Sequence, residues 1–175
     1  MRKDIKSMPL EELSGEMDAM RERRYRAAQL YDWMHVKLAR SFSEMTNLSA
    51  ELREKLQENY VYTSLELLRI QESEKDQTKK FLFRLQDKNL VETVWMKHRH
   101  GNSVCVSSQV GCRMGCRFCA STLGGLERNL SPSEILDQVY AVTLLTGERV
   151  SNVVVMGTGE PLDNFDSLVR FIRLL

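Results

Sequence analysis

All four cysteines of this 175-residue chain fall within fifteen residues, at Cys105, Cys112, Cys116 and Cys119. That crowding excludes a disulfide scaffold, whose half-cystines staple distant parts of a chain together. The last three form C-x-x-x-C-x-x-C immediately after a segment that reads as a strand. Structural zinc favours two C-x-x-C pairs supplying four ligands, and no second pair exists here. Three thiolates on a short loop suit a [4Fe–4S] cube, with one thiolate per iron and the fourth iron open to a substrate or cofactor. A zinc site and three ordinary thiols are the competing readings.

The surroundings of that loop set the fold class. The first sixty residues carry helical periodicity: Leu10, Leu13 and Met17 within Pro9–Met20, then Ala28, Leu30, Tyr31, Met34 and Leu38 within Tyr25–Leu38. Ser49 reads as an N-cap ahead of Leu52, Leu56 and Tyr60. After Tyr60 the pattern shortens. Tyr62–Ile70, Lys79–Leu85 and Leu90–Lys97 read as strands, with a turn at Asp87-Lys88-Asn89, and Asn102–Gln109 as another. Ser131-Pro132-Ser133-Glu134 then spells a capping box with proline at the first helical position. Val150–Met156 is a β-branched run suited to a buried parallel strand, and Asn164 starts a last helix through Leu168, Phe171 and Ile172. The chain is therefore α/β. Three parts are expected: helices over 1–60, a hairpin region over 61–98, and alternating strands and helices over 99–175. Two parallel strands leave two open edges, and the last amphipathic segment ends at Leu174-Leu175 without a helix stop, so the chain reads as cut short.

Charge adds a hint about partners. The net charge of +1 is uninformative, but residues 21–40 hold six basic and two acidic side chains, opening with Arg21, Arg23, Arg24 and Arg26 around Tyr25. From Thr93 to Leu126 there is no acid, while Lys97, Arg99, Arg113 and Arg117 lie there with His98 and His100. A solvated face or an anionic partner explains either bias. His35, His98 and His100 lack zinc-finger spacing. The longest aliphatic stretch, Val153-Val154-Val155-Met156, is far too short to span a bilayer, and no apolar segment follows the N-terminal charges. A cytoplasmic location without membrane contact is expected.

Cys112-Arg-Met-Gly-Cys116-Arg-Phe-Cys119 resembles the signature of the radical S-adenosylmethionine (SAM) superfamily. Together with Val91-Glu-Thr-Val94, Val104-Cys-Val-Ser-Ser-Gln-Val-Gly-Cys112 and Met156-Gly-Thr-Gly-Glu-Pro161, it is similar to the dual-specificity RNA methyltransferases that methylate C2 of adenine. The resemblance implies a helical RNA-binding accessory domain, then the first βα units of a partial TIM-type barrel. It implies SAM and a [4Fe–4S] cluster as cofactors, and as substrates an adenine of the 23S rRNA peptidyl-transferase centre and the adenine 3′ of certain tRNA anticodons. A monomer served by an electron donor such as flavodoxin or ferredoxin is expected. Two other readings compete: a sister group that methylates adenine C8, and a metal-containing RNA-binding module without catalysis.

Residue roles follow from the same resemblance. Cys112, Cys116 and Cys119 match the cluster ligands, Phe118 the aromatic residue beside the cofactor, and Gly159 and Glu160 the contact to the SAM amine. Cys105 matches the reactive cysteine that pairs transiently with a methyl-carrying one, against a plain reading as a small core thiol. The chemistry demands such parts because adenine C2 is electron-poor, and a radical route avoids the barrier to polar transfer. Glu92 alternates with Leu90, Val94 and Met96, so the sequence predicts an acid on an apolar face, desolvated and suited to act as general base. The resemblance assigns it proton acceptance; the plainer reading is a cross-strand pair with Arg84 or a lysine.

Overall fold

Helical periodicity in the first sixty residues yields three helices, α1 (Leu10–Ala19), α2 (Tyr25–His35) and α3 (Ala50–Asn59), in a computed structural model that describes residues 2–175. They close over Leu13 and Met17 of α1, Leu30 and Met34 of α2, and Leu52 and Leu56 of α3, all at most 1% exposed. Ser49 caps α3 as expected, its hydroxyl accepting from the Leu52 N–H. Two short strands, β1 (Lys3–Asp4) and β2 (Tyr60–Val61), pair in parallel and bring the ends of this unit together. Helix α2 stops three residues before the expected Leu38. That residue turns left-handed at φ 55°, and the next N–H, of Ala39, returns to the Trp33 carbonyl. The unit ends at Ser64, and a second runs from Leu65 to Arg173.

The second unit is built on one five-stranded sheet: β3 (Glu66–Glu72), β4 (Lys79–Arg84), β5 (Leu90–Met96), β6 (Asn102–Cys105) and, at the far edge, the later β9 (Val150–Val154). Neighbours from β3 to β6 are antiparallel, and β6 and β9 are parallel. The hairpin strands thus continue the parallel pair and cover one of its edges. Strand β9 is itself an edge, with Val153 and Val154 half-buried rather than enclosed. The expected strand over 102–109 breaks after Cys105. Its remainder forms β7 (Gln109–Gly111), which pairs with β8 (Leu126–Asn129) in a separate ribbon. Helix α4 (Pro132–Thr146) carries the expected capping box, Ser131 and Glu134 each serving the other's backbone N–H, and α5 (Phe165–Leu174) follows β9.

Helix α4 determines which sheet face is buried. Gln138, fully buried, accepts from the Thr93 hydroxyl at 2.9 Å, so α4 lies over the face formed by Phe81, Phe83, Val91, Thr93, Trp95 and Val104. The same amide grips the strand break, accepting from the Ser107 N–H at 2.8 Å and donating to its carbonyl at 2.9 Å. The opposite face is open. Among the described residues no helix is long and apolar enough to cross a membrane.

Candidate functional site

The cysteine loop is held at its base by the β7–β8 ribbon. Gly111 pairs with Leu126, and the Cys112 N–H donates to the Gly125 carbonyl at 2.9 Å. That approach requires glycine at 111: φ is +74°, and a Cβ would sit 2.0 Å from the Gly125 oxygen. Within the loop the Cys119 N–H returns to the Cys116 carbonyl, and the Thr122 hydroxyl donates to the Cys119 carbonyl at 2.8 Å. All four cysteines are free thiols; Cys112 is buried, Cys116 exposed, and Cys105 and Cys119 lie between. Phe118 projects into solvent at 94% exposure.

The donor set fits an iron–sulfur cluster in kind and number: three thiols on one loop, no disulfide, and no acid between Thr93 and Leu126. The three are not gathered at one point. Among the described residues no three His, Cys, Asp or Glu side chains converge closely enough to hold a metal ion. Cys112 lies in the base of the loop while Cys116 stands out on its rim.

The Gly157-Thr158-Gly159-Glu160-Pro161 segment follows β9 and lies against the broken strand. Gly157 donates to the Val106 carbonyl at 3.1 Å, and the Thr158 carbonyl accepts from Ser108 and Gln109 at 3.0 and 3.2 Å. Neither glycine tolerates a side chain here. A Cβ at 157 would lie 2.8 Å from the Val106 oxygen, and one at 159, where φ is +106°, would lie 2.6 Å from the Gln109 Cβ. Glu160 is half-buried. One carboxylate oxygen accepts from the Leu162 N–H at 3.0 Å, and its own N–H donates to Gln109 Oε1 at 2.8 Å.

Sequence reasoning missed the side chains that join this segment to the cysteine loop. Gln109, fully buried, donates to Asn129 at 2.8 Å and to Asp163 at 2.9 Å, and Asp163 also accepts from Arg113 Nε at 2.9 Å. Arg113 first, then Gln109, holds the Asp163 carboxyl below its ordinary range. Asn164, buried beside it, donates to the Ser108 and Leu130 carbonyls at 2.9 and 2.8 Å. The available signal was a set of uncharged polar residues in otherwise buried stretches, which must be hydrogen-bonded to lie there.

Glu92 corrects the sequence reading. It lies on the open face with Leu90, Val94 and Met96, its side chain half exposed and paired with Lys80 at 3.0 Å. The alternation expected along this strand is present, but the buried face is the other one, so the acid is not desolvated in this structure. The cross-strand lysine is Lys80, one step diagonal in register, while Arg84 pairs with Glu66. Cys105 shares the open face, since Val94 and Cys105 are register partners and Cys105 in turn faces Val154. Partial burial raises the Cys105 thiol, and the Met156 N–H that donates to it opposes the rise.

The basic residues divide. Arg24 pairs with Asp18, while Arg26 contacts Gln29 and the Asn47 carbonyl and lies over the Tyr25 ring at 5.1 Å. Arg21 and Arg23 are exposed, as is Tyr25. His98 and His100 stack in the open at 5.3 Å.

Known proteins match this arrangement along the whole chain. Residues 3–61 match the family described as the ribosomal RNA large subunit methyltransferase N-terminal domain, and residues 106–175 match the radical SAM superfamily. A protein of Lachnospira eligens named "Probable dual-specificity RNA methyltransferase RlmN" is 62% identical over 172 residues, spanning 98% of this chain and 49% of its own length. One of the same name from Bacillus subtilis is 49% identical over 177 residues, spanning 99% of this chain and 48% of its own. Among solved structures, a radical SAM methyltransferase from Sphaerobacter thermophilus superposes with a TM-score of 0.91 at 37% identity, over 99% of this chain and 52% of that one. The mixed α/β architecture read from the sequence agrees with that neighbour. The chain spans about half the length of the curated relatives it matches.

Proposed function

We propose, from a chain that is related over nearly its whole length to about half the length of the RlmN-type radical SAM RNA methyltransferases, that it carries the cofactor-binding half of an adenine-C2 RNA methylation site. Cys112, Cys116 and Cys119 hold a [4Fe–4S] cluster, which when bound supplies one-electron reduction of SAM. Glu160 accepts the methionyl ammonium of SAM with the carboxylate capacity that Leu162 leaves over. Gly159 keeps the backbone close to Gln109, and the exposed ring of Phe118 packs beside the cofactor. On the open sheet face Cys105 is the reactive thiol and Glu92 the proton acceptor for the hydrogen leaving C2, with Lys80 paired to Glu92 at 3.0 Å and fixing where its side chain lies.

Residues 1–60 form the RNA-contacting accessory domain, with exposed Arg21, Arg23 and Tyr25 offered to the phosphate backbone and bases. Residues 61–98 connect it to the beginning of the barrel at 99–175. The substrates are an adenine of 23S rRNA and an adenine 3′ of the tRNA anticodon. The enzyme works as a cytoplasmic monomer with a flavodoxin or ferredoxin as electron donor.

The observation that carries this reading is the direct seating of the G-x-G-E-P segment on the strand that leads into the three-cysteine loop. The test is iron, sulfide and zinc content after anaerobic reconstitution, with electron paramagnetic resonance of the reduced protein before and after adding SAM. About four irons per chain and a spectrum altered by SAM are expected for a site with one open iron. Stoichiometric zinc without a cluster overturns the reading.

A further inference from the structure

We infer that Asp163 is a positioning residue: it latches the cysteine loop to the G-x-G-E-P segment, so that Cys112 and Glu160 keep a fixed relation. The inference rests on the cofactor reading above for its purpose, but its geometry stands alone. The Asp163 side chain is 15% exposed, and one carboxylate oxygen, Oδ2, receives two donors from different elements. Arg113, the residue after Cys112, donates through Nε at 2.9 Å, and Gln109 donates through Nε2, also at 2.9 Å. The other end of the Gln109 amide accepts the Glu160 N–H at 2.8 Å.

The chain of contacts fixes its own direction. Gln109 must present oxygen to the Glu160 N–H and nitrogen to the carboxylate; turned over, it would set donor against donor and oxygen against oxygen. Asn129 accepts the second Gln109 proton at 2.8 Å, and its own amide reaches the Asp163 carbonyl at 3.4 Å. Both Gln109 amide protons and its oxygen are engaged and the side chain is fully buried, so it cannot turn without breaking several bonds. Asp163 thus links, through Arg113 and Gln109, the loop carrying Cys112 to the backbone carrying Glu160. A cofactor held by both loops at once needs their separation fixed, and this carboxylate fixes it.

The experiment uses Asp163→Asn, nearly isosteric, and Arg113→Ala, which cuts the same latch from a side chain that is 61% exposed and outside the core. Glu66→Gln, which removes the exposed pair with Arg84 between β3 and β4, is the control. In metal-free protein, alkylation of Cys112 proceeds through local opening. Losing a charge-assisted bond should raise its rate about tenfold in both latch variants, with Cys105 unchanged. An unchanged Cys112 rate, or an equal rise at Cys105, overturns the proposal. In reconstituted protein the latch variants should keep their iron. The SAM concentration that half-converts the resonance spectrum should rise about tenfold, and an unchanged concentration overturns the latch's role. A wild-type chain that takes up no cluster strikes the cofactor reading, and alkylation then decides the latch by itself.

Discussion

Gln138→Leu should destabilise the second unit far more than an uncharged surface-sized change suggests. The side chain is fully buried and makes four bonds: from the Thr93 hydroxyl at 2.9 Å, from the Ser107 N–H at 2.8 Å, to the Ser107 carbonyl at 2.9 Å and to the Glu134 carbonyl at 3.1 Å. Leucine fills nearly the same volume, so the perturbation isolates hydrogen bonding from cavity formation. Three buried groups lose their partner, at about 1–3 kcal/mol each and with incomplete additivity. Burial of the new apolar surface returns about 1–2 kcal/mol. The net expectation is a loss of about 3 kcal/mol. With a urea slope of about 1.5 kcal/mol/M for a unit this size, the midpoint falls by about 2 M. Trp95, 3% exposed on the face that α4 covers, reports the transition, and Trp33→Phe silences the other unit. A midpoint shift below about 0.5 M would mean that Ser107 finds other partners, and the account of the strand break would fail.

Gly111→Ala should cost at least about 2–3 kcal/mol, because left-handed strain adds to a contact that must open the ribbon. Gly115→Ala, at φ +69° with open space around it, should cost only about 1 kcal/mol, and the comparison of unfolding midpoints tests the difference. Asp87, held down to about 2 chiefly by Arg128, contributes stability that is complete above about pH 4 and lost as pH falls through 2. The pair is about one-third exposed, so an acid titration of stability should lose under about 1 kcal/mol to Asp87, and none in Asp87→Asn. His35, lowered to about 4 by burial and then by Lys6, is favoured neutral in the folded state. Its contribution is full above about pH 6.5 and lost as pH falls towards 4, about 2 kcal/mol by Trp33 fluorescence, and absent in His35→Gln. Glu92→Gln should change stability by less than about 1 kcal/mol, since both members of its pair with Lys80 are about half exposed, and a larger loss in urea would make Glu92 structural.

Local signals were legible and remote ones were not. The Ser131–Glu134 capping box, the Ser49 cap and the turn at Lys88 are decided within a few residues, and the structure forms all three. The end of α2 was misplaced because Leu38, not a glycine, takes the left-handed position. The break after Cys105 depends on Gln138, thirty-one residues from Ser107, which no window of alternation contains. Cysteine spacing exposed the candidate ligand loop, but spacing fixes neither where the thiols point nor what holds the loop. Gln109, Asn129 and Asp163 belong to three segments, and nothing about any one of them announces the others.

Strand β5 shows why burial cannot be assigned from period alone. Leu90, Val94 and Met96 alternate with Val91, Thr93 and Trp95, so both faces are largely apolar, and only the docking of α4 on Thr93 settles which is enclosed. The result assigns separate tasks to the two faces. The covered face carries the core, while the open face collects Lys80, Glu92, Val94 and Cys105 in neighbouring register positions. Glu92 and Cys105 are diagonal neighbours, with α-carbons about 7–8 Å apart by sheet geometry. The Glu92 carboxyl is directed to Lys80, at 3.0 Å. Burial raises the Cys105 thiol against the Met156 N–H that donates to it, while the Glu92 side chain, on the same open face, is engaged by Lys80.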